Sequence, residues 1–268
     1  MHERLTRWAV VVLLILLAAS LLAPVLPIGR PDQIGYGTRL SPPSWLAPFG
    51  CDQLGRPVLA RVLQGIQTTF LLSTVAVLVA GALGALVAMA TTYGHPTADE
   101  VASRGADILF SFPPILLGIL VVAVIAPGML SAMVVIAFIT FPTMLRVIRA
   151  ATLSVMKRDF VVVAEIVGVS FPRRLLVHIL PNVVEAFTVQ IIYSISVGMI
   201  VESGLSFLGI GVQPPLASLG SLLRDGLPYI EVAPWLTLGP GLTLAAAIMA
   251  VNLLGDGLRR VVDPASRA

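Results

Sequence analysis

The chain has 268 residues, of which 57% are hydrophobic and only 12% are charged, and its mean hydropathy is +0.97. A soluble domain usually carries about 25% charged residues, so this composition is typical of an integral membrane protein and excludes a large soluble domain. The net charge of +3 does not indicate a nucleic-acid partner, because the arginines are scattered near the ends of apolar segments, as topology signals are. The single cysteine, Cys51, excludes an internal disulfide.

Six apolar segments are long enough to cross a bilayer, which predicts an all-α membrane protein with six transmembrane helices. The predicted spans are residues 8–28, 66–93, 107–126, 129–149, 183–205 and 234–256. We assign residues 1–65 to an N-terminal span with its outer loop and residues 66–268 to the core membrane domain. Pro113 and Pro114 should bend or break the first turn of the third span.

The distribution of the 17 Arg and Lys residues predicts the orientation, since these residues concentrate on the cytoplasmic side. With the N-terminus in the cytoplasm, five of the 17 lie on the outer side, which leaves 17 − 5 = 12 on the cytoplasmic side. The five outer residues are Arg30, Arg39, Arg56, Arg61 and Arg224. Six spans then return the C-terminus to the cytoplasm.

Small residues and loops suggest how the spans meet each other and other proteins. The second span carries Gly81, Gly84, Ala85 and Ala88 at helical spacing, a stripe that lets another helix approach closely. The long outer segments 29–65 and 206–233 are candidates for covering a pore or for meeting an external partner.

A short apolar run lies between the fourth and fifth spans. It extends from Phe160 to Val169, with basic residues on both sides. Ten helical residues reach about 15 Å, half of the hydrocarbon thickness of a bilayer, so this run cannot cross. The basic residues place it in the cytoplasm as a helix with an apolar face. Such a helix needs a protein partner, which suggests a pore whose motor is another subunit.

The sequence lacks the patterns of an enzyme. The only lysine, Lys157, follows Met156, so the glycine-lysine pair of a phosphate-binding P-loop is absent. Histidines occur only at positions 2, 95 and 178, which excludes a HExxH zinc site and a three-histidine cage. No G-x-S-x-G nucleophile motif occurs. We expect no catalysis, no metal site and no cofactor on this chain.

Polar residues inside the predicted spans are few. Glu185 and Glu202 lie near the two ends of the fifth span, where reaching the interface or capping a helix is the simpler expectation. A pathway or gating role is the alternative for Glu202. Gln190 and Ser194 belong to a polar band on the same span, which fits a hydrogen-bonded helix contact as well as a pore lining.

The segment from Phe160 to Asn182 resembles the cytoplasmic loop of ABC-importer permeases, in which a short helix docks into a groove of the ATPase. Members of that family read E-A-A, three residues, G, and then a tail that ends I-L-P-N. Gly168 takes the glycine position, and His178-Ile179-Leu180-Pro181-Asn182 matches the tail as the dipeptide/oligopeptide/nickel branch writes it.

Three further segments are similar to the same branch, and together they cover nearly the whole chain in order. They are F-G-C-D-Q-L-G-R-P-V-L at 49–59, G-L-S-F-L-G-I-G-V-Q-P-P at 204–215, and N-L-L-G-D-G-L-R at 252–259 followed by Asp263-Pro264. Cys51 and Pro57 replace a threonine and an aspartate that the family usually has in the first of these segments.

The resemblance implies the fold of a type I ABC importer permease, with a coupling helix at about 159–172 inside a coupling loop at about 157–181, and a turn at Gly168 that ends the helix. Two groups of functional residues follow from it. They are Val162, Val163, Ala164, Glu165, Gly168, Pro172 and Arg173 for ATPase coupling, and His178, Pro181 and Asn182 at the junction of loop and span. A third group, for a pathway or gate, rests on the polar side chains within the fifth span and consists of Gln190, Ser194 and Glu202.

One departure leaves two alternatives for the coupling contact. The glutamate of E-A-A falls on Val162, while Glu165 lies one turn further along. Either Glu165 substitutes for it, or this subunit couples through apolar contacts and a partner permease supplies the acidic one. Arg173 and Arg174 are expected to anchor the loop at lipid phosphates or to contact the ATPase.

The function implied by the resemblance is that of a permease subunit in an ATP-driven ABC importer of a bacterial or archaeal plasma (inner) membrane. It would form half of the translocation pathway, with a paralogous permease as the other half. Two P-loop ATPase subunits would hold ATP and Mg, and an extracytoplasmic binding protein would deliver di- or oligopeptides. Nickel, metal chelates or other small solutes are alternative cargoes. An ATP-independent carrier or channel would leave the short docking helix unexplained.

Overall fold

The protein folds as a bundle of helices in a computed structural model that describes residues 2–94 and 96–262. Asp263 and Pro264, the end of the C-terminal pattern, lie outside the described residues. The helices are α1 His2–Leu22, α2 Val58–Gly94, α3 Pro96–Phe110, α4 Pro114–Ile125, α5 Met129–Met156, α6 Asp159–Ile166, α7 Phe171–Arg173, α8 Leu180–Phe207, α9 Leu219–Gly226 and α10 Trp235–Val262. Single turns of 3₁₀ helix follow α1 and α9, and a π-helical segment, Arg174–Ile179, joins α7 to α8.

Five helical segments of the described chain are long and apolar enough to cross a membrane, and a bent pair, α3 with α4, brings the count to six. The bent pair corrects the predicted third span. Residues 107–110 belong to α3, which lies at 91° to α4, and α4 alone is about 18 Å long. Pro113 is extended, with ψ 134°, because a residue that precedes a proline is driven out of the helical region. The predicted break at Pro113-Pro114 is therefore confirmed.

The second and fifth predicted spans are also longer than expected. α2 has 37 residues and begins at Val58, so the predicted division of the chain at residue 65 falls inside it. The fifth span runs from Phe171 to Phe207, through the π-helical segment. Both reach about 55 Å, well beyond the hydrocarbon core.

The centre of the bundle is the contact of α2 with α5 and α8. Val77, Ile136, Met144 and Ile148 are among its buried side chains. The predicted stripe on α2 explains the close approach: a Cβ added at Gly84 would lie 2.7 Å from the carbonyl oxygen of Phe141 on α5. Only glycine at this position lets the two backbones meet.

Residues 26–57 and 208–234 form what we call the loop end of the bundle. The loop end is held by ion pairs around Asp52, whose side chain is almost fully buried. Asp52 accepts hydrogen bonds from the backbone of Leu54 and Arg56 at 2.8 and 2.9 Å, and from the side chains of Arg56 and Arg61 at 2.7 and 2.8 Å. Arg61, on α2, also pairs with Asp225 of α9 at 3.4 Å. These contacts join the N-terminal loop, α2 and α9.

The C-terminal pattern N-L-L-G-D-G-L-R packs α10 on two other helices. Asp256 accepts a hydrogen bond from the hydroxyl of Tyr193 at 2.5 Å, and Asn252 accepts one from Ser196 at 2.8 Å. The two glycines leave room for neighbouring side chains, since a Cβ at Gly255 would meet the Tyr193 ring and one at Gly257 would meet Thr6. The pattern is thus explained by helix packing within this chain.

Candidate functional site

The short helix α6, between the fourth and fifth spans, presents one buried and one exposed apolar face. Val161 and Ala164 are buried, and Val161 belongs to the same apolar cluster as Ile179 at the end of the π-helical segment. Phe160 is exposed, and so are four apolar side chains that follow it, which are Val162, Val163, Ile166 and Val167. We call these four residues the apolar patch. Ile166 and Val167 are 78% and 75% exposed, so no other part of the described chain covers them.

The C-terminus of α6 is a Schellman motif built on a glycine. Gly168 has φ +81°, and a Cβ there would meet no atom within 4 Å. The N–H of Gly168 donates to Glu165 O and that of Val169 to Ala164 O, both at 3.0 Å, which is the bonding of this motif. The predicted turn at Gly168 is therefore confirmed, and the need for a left-handed backbone explains the glycine.

The predicted extent of the coupling helix is wrong at its C-terminal end. α6 ends at Ile166 rather than near residue 172. Pro172 and Arg173 belong instead to α7, where Pro172 occupies the first turn and has no N–H that the helix would use. Because the chain is helical again from Phe171, the predicted coupling loop at 157–181 contains the start of the fifth span.

The N-terminal end of α6 is attached to the fifth span by a hydrogen bond. Arg158, which precedes α6, donates to the side-chain carbonyl of Asn182 at 3.2 Å, and Asn182 donates to the carbonyl of His178 at 2.8 Å. The ring of His178 faces that of Phe160 at 6.2 Å. The tail residues thus position the start of α6.

Pro181, which the sequence analysis places at the junction of loop and span, lies inside the continuous helical segment Phe171–Phe207. A proline inside a helix removes one hydrogen bond and crowds the carbonyl four residues earlier. The π-helical segment just before it relieves this conflict: the N–H of Leu180 donates to Leu175 O, five residues back.

The C-terminal side of α6 carries a charged contact that the sequence did not reveal. Glu165 pairs with Arg174, with 2.9 Å between Oε1 and Nη1. The guanidinium also lies 5.2 Å from the centre of the Tyr93 ring, which stacks on Phe171 at 4.9 Å. The Arg174 side chain is only 13% exposed, so the prediction that it anchors the loop at lipid phosphates is wrong. Arg173 is exposed.

The predicted pathway residues lie at different places along α8. Gln190 donates a hydrogen bond to Ser194 at 3.3 Å, so two residues of the polar band are hydrogen-bonded to each other within the same helix. Glu202 has no exposed surface. Its carboxylate accepts hydrogen bonds from Thr69 of α2 at 2.8 Å and from Ser206 at 2.6 Å.

The surroundings of Glu202 correct the expectation that it reaches the interface or caps a helix end. Thr69 in turn accepts the N–H of Leu219, the first residue of α9, at 3.2 Å. Glu202 therefore fastens α8, α2 and the loop end together. A pathway role for Gln190, Ser194 or Glu202 stays a prediction.

Two further clusters escaped the sequence analysis. Arg149 of α5 pairs with Asp99 of α3 through two hydrogen bonds of 2.8 and 2.6 Å, and Thr92 at the end of α2 donates to the same carboxylate. The second cluster is the Arg61–Asp225 pair at the loop end, which joins positions 164 residues apart. The only sequence signal for either cluster is a charged residue near the end of a span. Such a residue does not reveal which other residue it pairs with.

These features define a class of protein. Apolar spans, a bent third span and a short exposed helix between the fourth and fifth spans are features of a membrane transport component. The chain belongs to the family described as binding-protein-dependent transport system inner membrane component, whose model matches residues 78–268. It is a permease subunit of an ABC importer.

Relatives match along almost the whole chain. The di/tripeptide transport system permease protein DppC of Pseudomonas aeruginosa is 32% identical over 98% of this chain and 89% of its own length. A protein of Brucella suis biovar 1, provisionally named a peptide transport system permease, is 35% identical over the same shares. Among solved structures, a chain of the inward-facing MetNI methionine ABC transporter superimposes with a TM-score of 0.63 and 15% identity, covering 77% of this chain and 98% of that one. That likeness shows the shared fold.

Proposed function

We propose that this chain forms half of the pathway of an importer for di- or oligopeptides, together with a paralogous permease. The observation that supports a peptide as the cargo is the full-length similarity to the di/tripeptide permease DppC, which includes both the core and the loop end. An extracytoplasmic binding protein would deliver the peptide to the loop end, and the termini would lie in the cytoplasm.

We further propose that two separate P-loop ATPase subunits, which hold ATP and Mg, dock on the apolar patch. The support is physical. α6 is too short to cross a membrane, and yet the four side chains of the apolar patch, three on α6 and Val167 directly after it, are exposed. A compact exposed apolar patch of this kind favours a protein partner. ATP-driven closure of the two ATPases would then move α6 and, through it, the spans.

The pairing of Glu165 supports one of the two alternatives for coupling. Its carboxylate already contacts Arg174 of the same chain at 2.9 Å, while Val162 and Val163 point outward. On this arrangement the subunit couples through apolar contacts, and the partner permease supplies any acidic contact.

The test is purification of the chain from its native membrane in a gentle detergent, followed by mass spectrometry of the proteins that remain bound. We expect a second six-span permease and P-loop ATPases, and ATP-dependent uptake of labelled trialanine after reconstitution with the cognate binding protein. A chain recovered alone, which moves trialanine in liposomes without ATP, would establish a carrier instead. Uptake of a nickel chelate but not of trialanine would reject the peptide cargo.

A further inference from the structure

The inner end of α2 lies beside the end of α6, although the two helices are separated in sequence by α3, α4 and α5. Tyr93 is in the last turn of α2. Its ring stacks on Phe171, with 4.9 Å between centroids and 21° between planes, and it also faces the guanidinium of Arg174 at 5.2 Å. The aromatic ring of α2 is thus held by two residues that follow α6.

Arg174 is a nearly buried cation with few other partners. Its Nη1 atom is 2.9 Å from the Glu165 carboxylate, but the ion pair lacks the geometry of a hydrogen bond, and Nε has no hydrogen-bond partner among the described residues. A buried charge without full hydrogen bonding is costly, so the carboxylate and the π face of Tyr93 are what stabilise it. Removing either should release the side chain.

These contacts form a chain of three side chains from α6 to α2: Glu165 on α6, Arg174 after it and Tyr93 on α2. We call them the clasp. At its other end α6 is attached to the fifth span by Arg158 and Asn182. The N-terminal end of α6 is therefore held to the fifth span, and its C-terminal end is held to α2 through Arg174, which itself lies in the fifth span.

We propose that Arg174 is a positioning residue that locks the C-terminal end of α6 to α2, so that the two move as one body when the ATPases act on the apolar patch. The inference rests on the proposed docking of ATPases. It identifies the contact through which their motion would pass from α6 to the helix bundle. The hydroxyl of Tyr93 has no hydrogen-bond partner within the described residues, so the ring, and not the hydroxyl, is the part that the clasp uses.

The first test measures whether α6 and α2 move together. Spin labels are placed on Gly94→Cys, at the end of α2, and on Asp159→Cys, on α6, because both positions are exposed and lie outside the apolar patch. The separation of the two labels is measured in the intact complex in nanodiscs, without nucleotide and with ATP and vanadate. Cys51 is 1% exposed and should label little. We expect one narrow distance that is equal in both states.

The variants decide the proposal. Arg174→Gln and Tyr93→Leu should broaden the distance distribution or make it differ between the two states, whereas Arg174→Lys and Tyr93→Phe should leave it narrow, because a cation or a ring remains in place. A narrow, unchanged distance in Arg174→Gln and Tyr93→Leu would overturn the clasp. So would broadening in Tyr93→Phe, since the hydroxyl has no partner.

The second test separates positioning from folding. In liposomes with the cognate binding protein, Arg174→Gln should bind the ATPases and hydrolyse ATP within about twofold of the unaltered complex, while ATP consumed per trialanine imported rises at least fivefold. Equal losses of hydrolysis and uptake would show a merely structural role and overturn the proposal. If no ATPase subunit remains bound to the unaltered chain, the proposed function is wrong. The distance between the two spin labels, measured in the isolated chain and its variants, still decides whether the clasp exists.

Discussion

The two ends of the bundle are stabilised by different kinds of contact. At the loop end, Asp52 is 2% exposed and accepts four hydrogen bonds, two of them from arginine side chains. At the α6 end, one hydrogen bond from Arg158 and the clasp hold a helix whose outward face is bare apolar surface. The buried charges of the loop end are paired with each other, which should make it rigid, whereas the α6 end leaves apolar surface exposed.

The difference in contacts indicates how each end should respond to substitution. Buried, fully paired charges cost a great deal to separate, so the loop end should resist deformation. Secondary-structure elements that have few contacts with the rest of the protein and expose apolar side chains are the ones that move most easily. We therefore expect substitutions at the loop end to change stability and substitutions at the α6 end to change assembly and coupling.

The largest effect should come from Asp52→Ala. The change leaves Arg61 without its nearest carboxylate, at 2.8 Å, and removing one member of a buried ion pair costs about 3–5 kcal/mol. Thermal unfolding in detergent, followed by size-exclusion chromatography, measures it. Asp32→Ala is the matched control, because its pair with Arg30 is mostly exposed and should contribute less than about 1 kcal/mol. Equal melting temperatures for the two variants would contradict a rigid loop end.

The next effect should be on assembly. Ile166→Asp adds a charge to the apolar patch without touching the core, since the side chain is exposed. Burying an unpaired carboxylate against an ATPase is unfavourable, and we expect about a hundredfold weaker association, or about 2.7 kcal/mol. Co-purification of the ATPases at increasing detergent measures it, with Ile166→Leu as the control. Retention of the ATPases by the Asp variant would exclude the patch as their docking site.

A smaller effect should follow from Gly84→Ala, between the two ends. The added methyl group would lie 2.7 Å from the carbonyl oxygen of Phe141, and such overpacking costs about 1–3 kcal/mol. Gly105→Ala, on α3, meets no atom within 4 Å and should be neutral or slightly stabilising. A melting temperature unchanged by Gly84→Ala would show that α2 and α5 separate easily.

The smallest effect on assembly should be that of Glu165→Ala. Because the carboxylate contacts Arg174 of its own chain, we expect ATPase association within about twofold of the unaltered complex, even though coupling is weakened. The same co-purification assay measures it. A tenfold loss of association would mean that Glu165 replaces the missing family glutamate after all.

Much of this arrangement could be predicted from local sequence. The turn at Gly168 follows from a glycine after a short apolar run, and the break at Pro113-Pro114 follows from the chemistry of proline. The side-chain contacts that hold the helices together at each end of the bundle could not be predicted, because the residues that form them are far apart along the chain. Thr69 and Glu202 are separated by 133 residues, and no periodic pattern links Tyr93 to Arg174. Sequence placed Glu202 near a span end, where hydropathy does not reveal the hydroxyl groups that surround it.

The helix α2 is long enough to connect the two ends of the bundle mechanically. From Arg61 at the loop end to Tyr93 at the α6 end, this one helix spans about 48 Å. Its tight contact with α5 at Gly84 divides it into arms of about 35 and 14 Å. If that contact acts as a fulcrum, a tilt that shifts the short arm by 1 Å displaces the long arm by about 2.5 Å in the opposite direction. A small push at the clasp would then be amplified at the loop end, where we propose that the peptide is delivered.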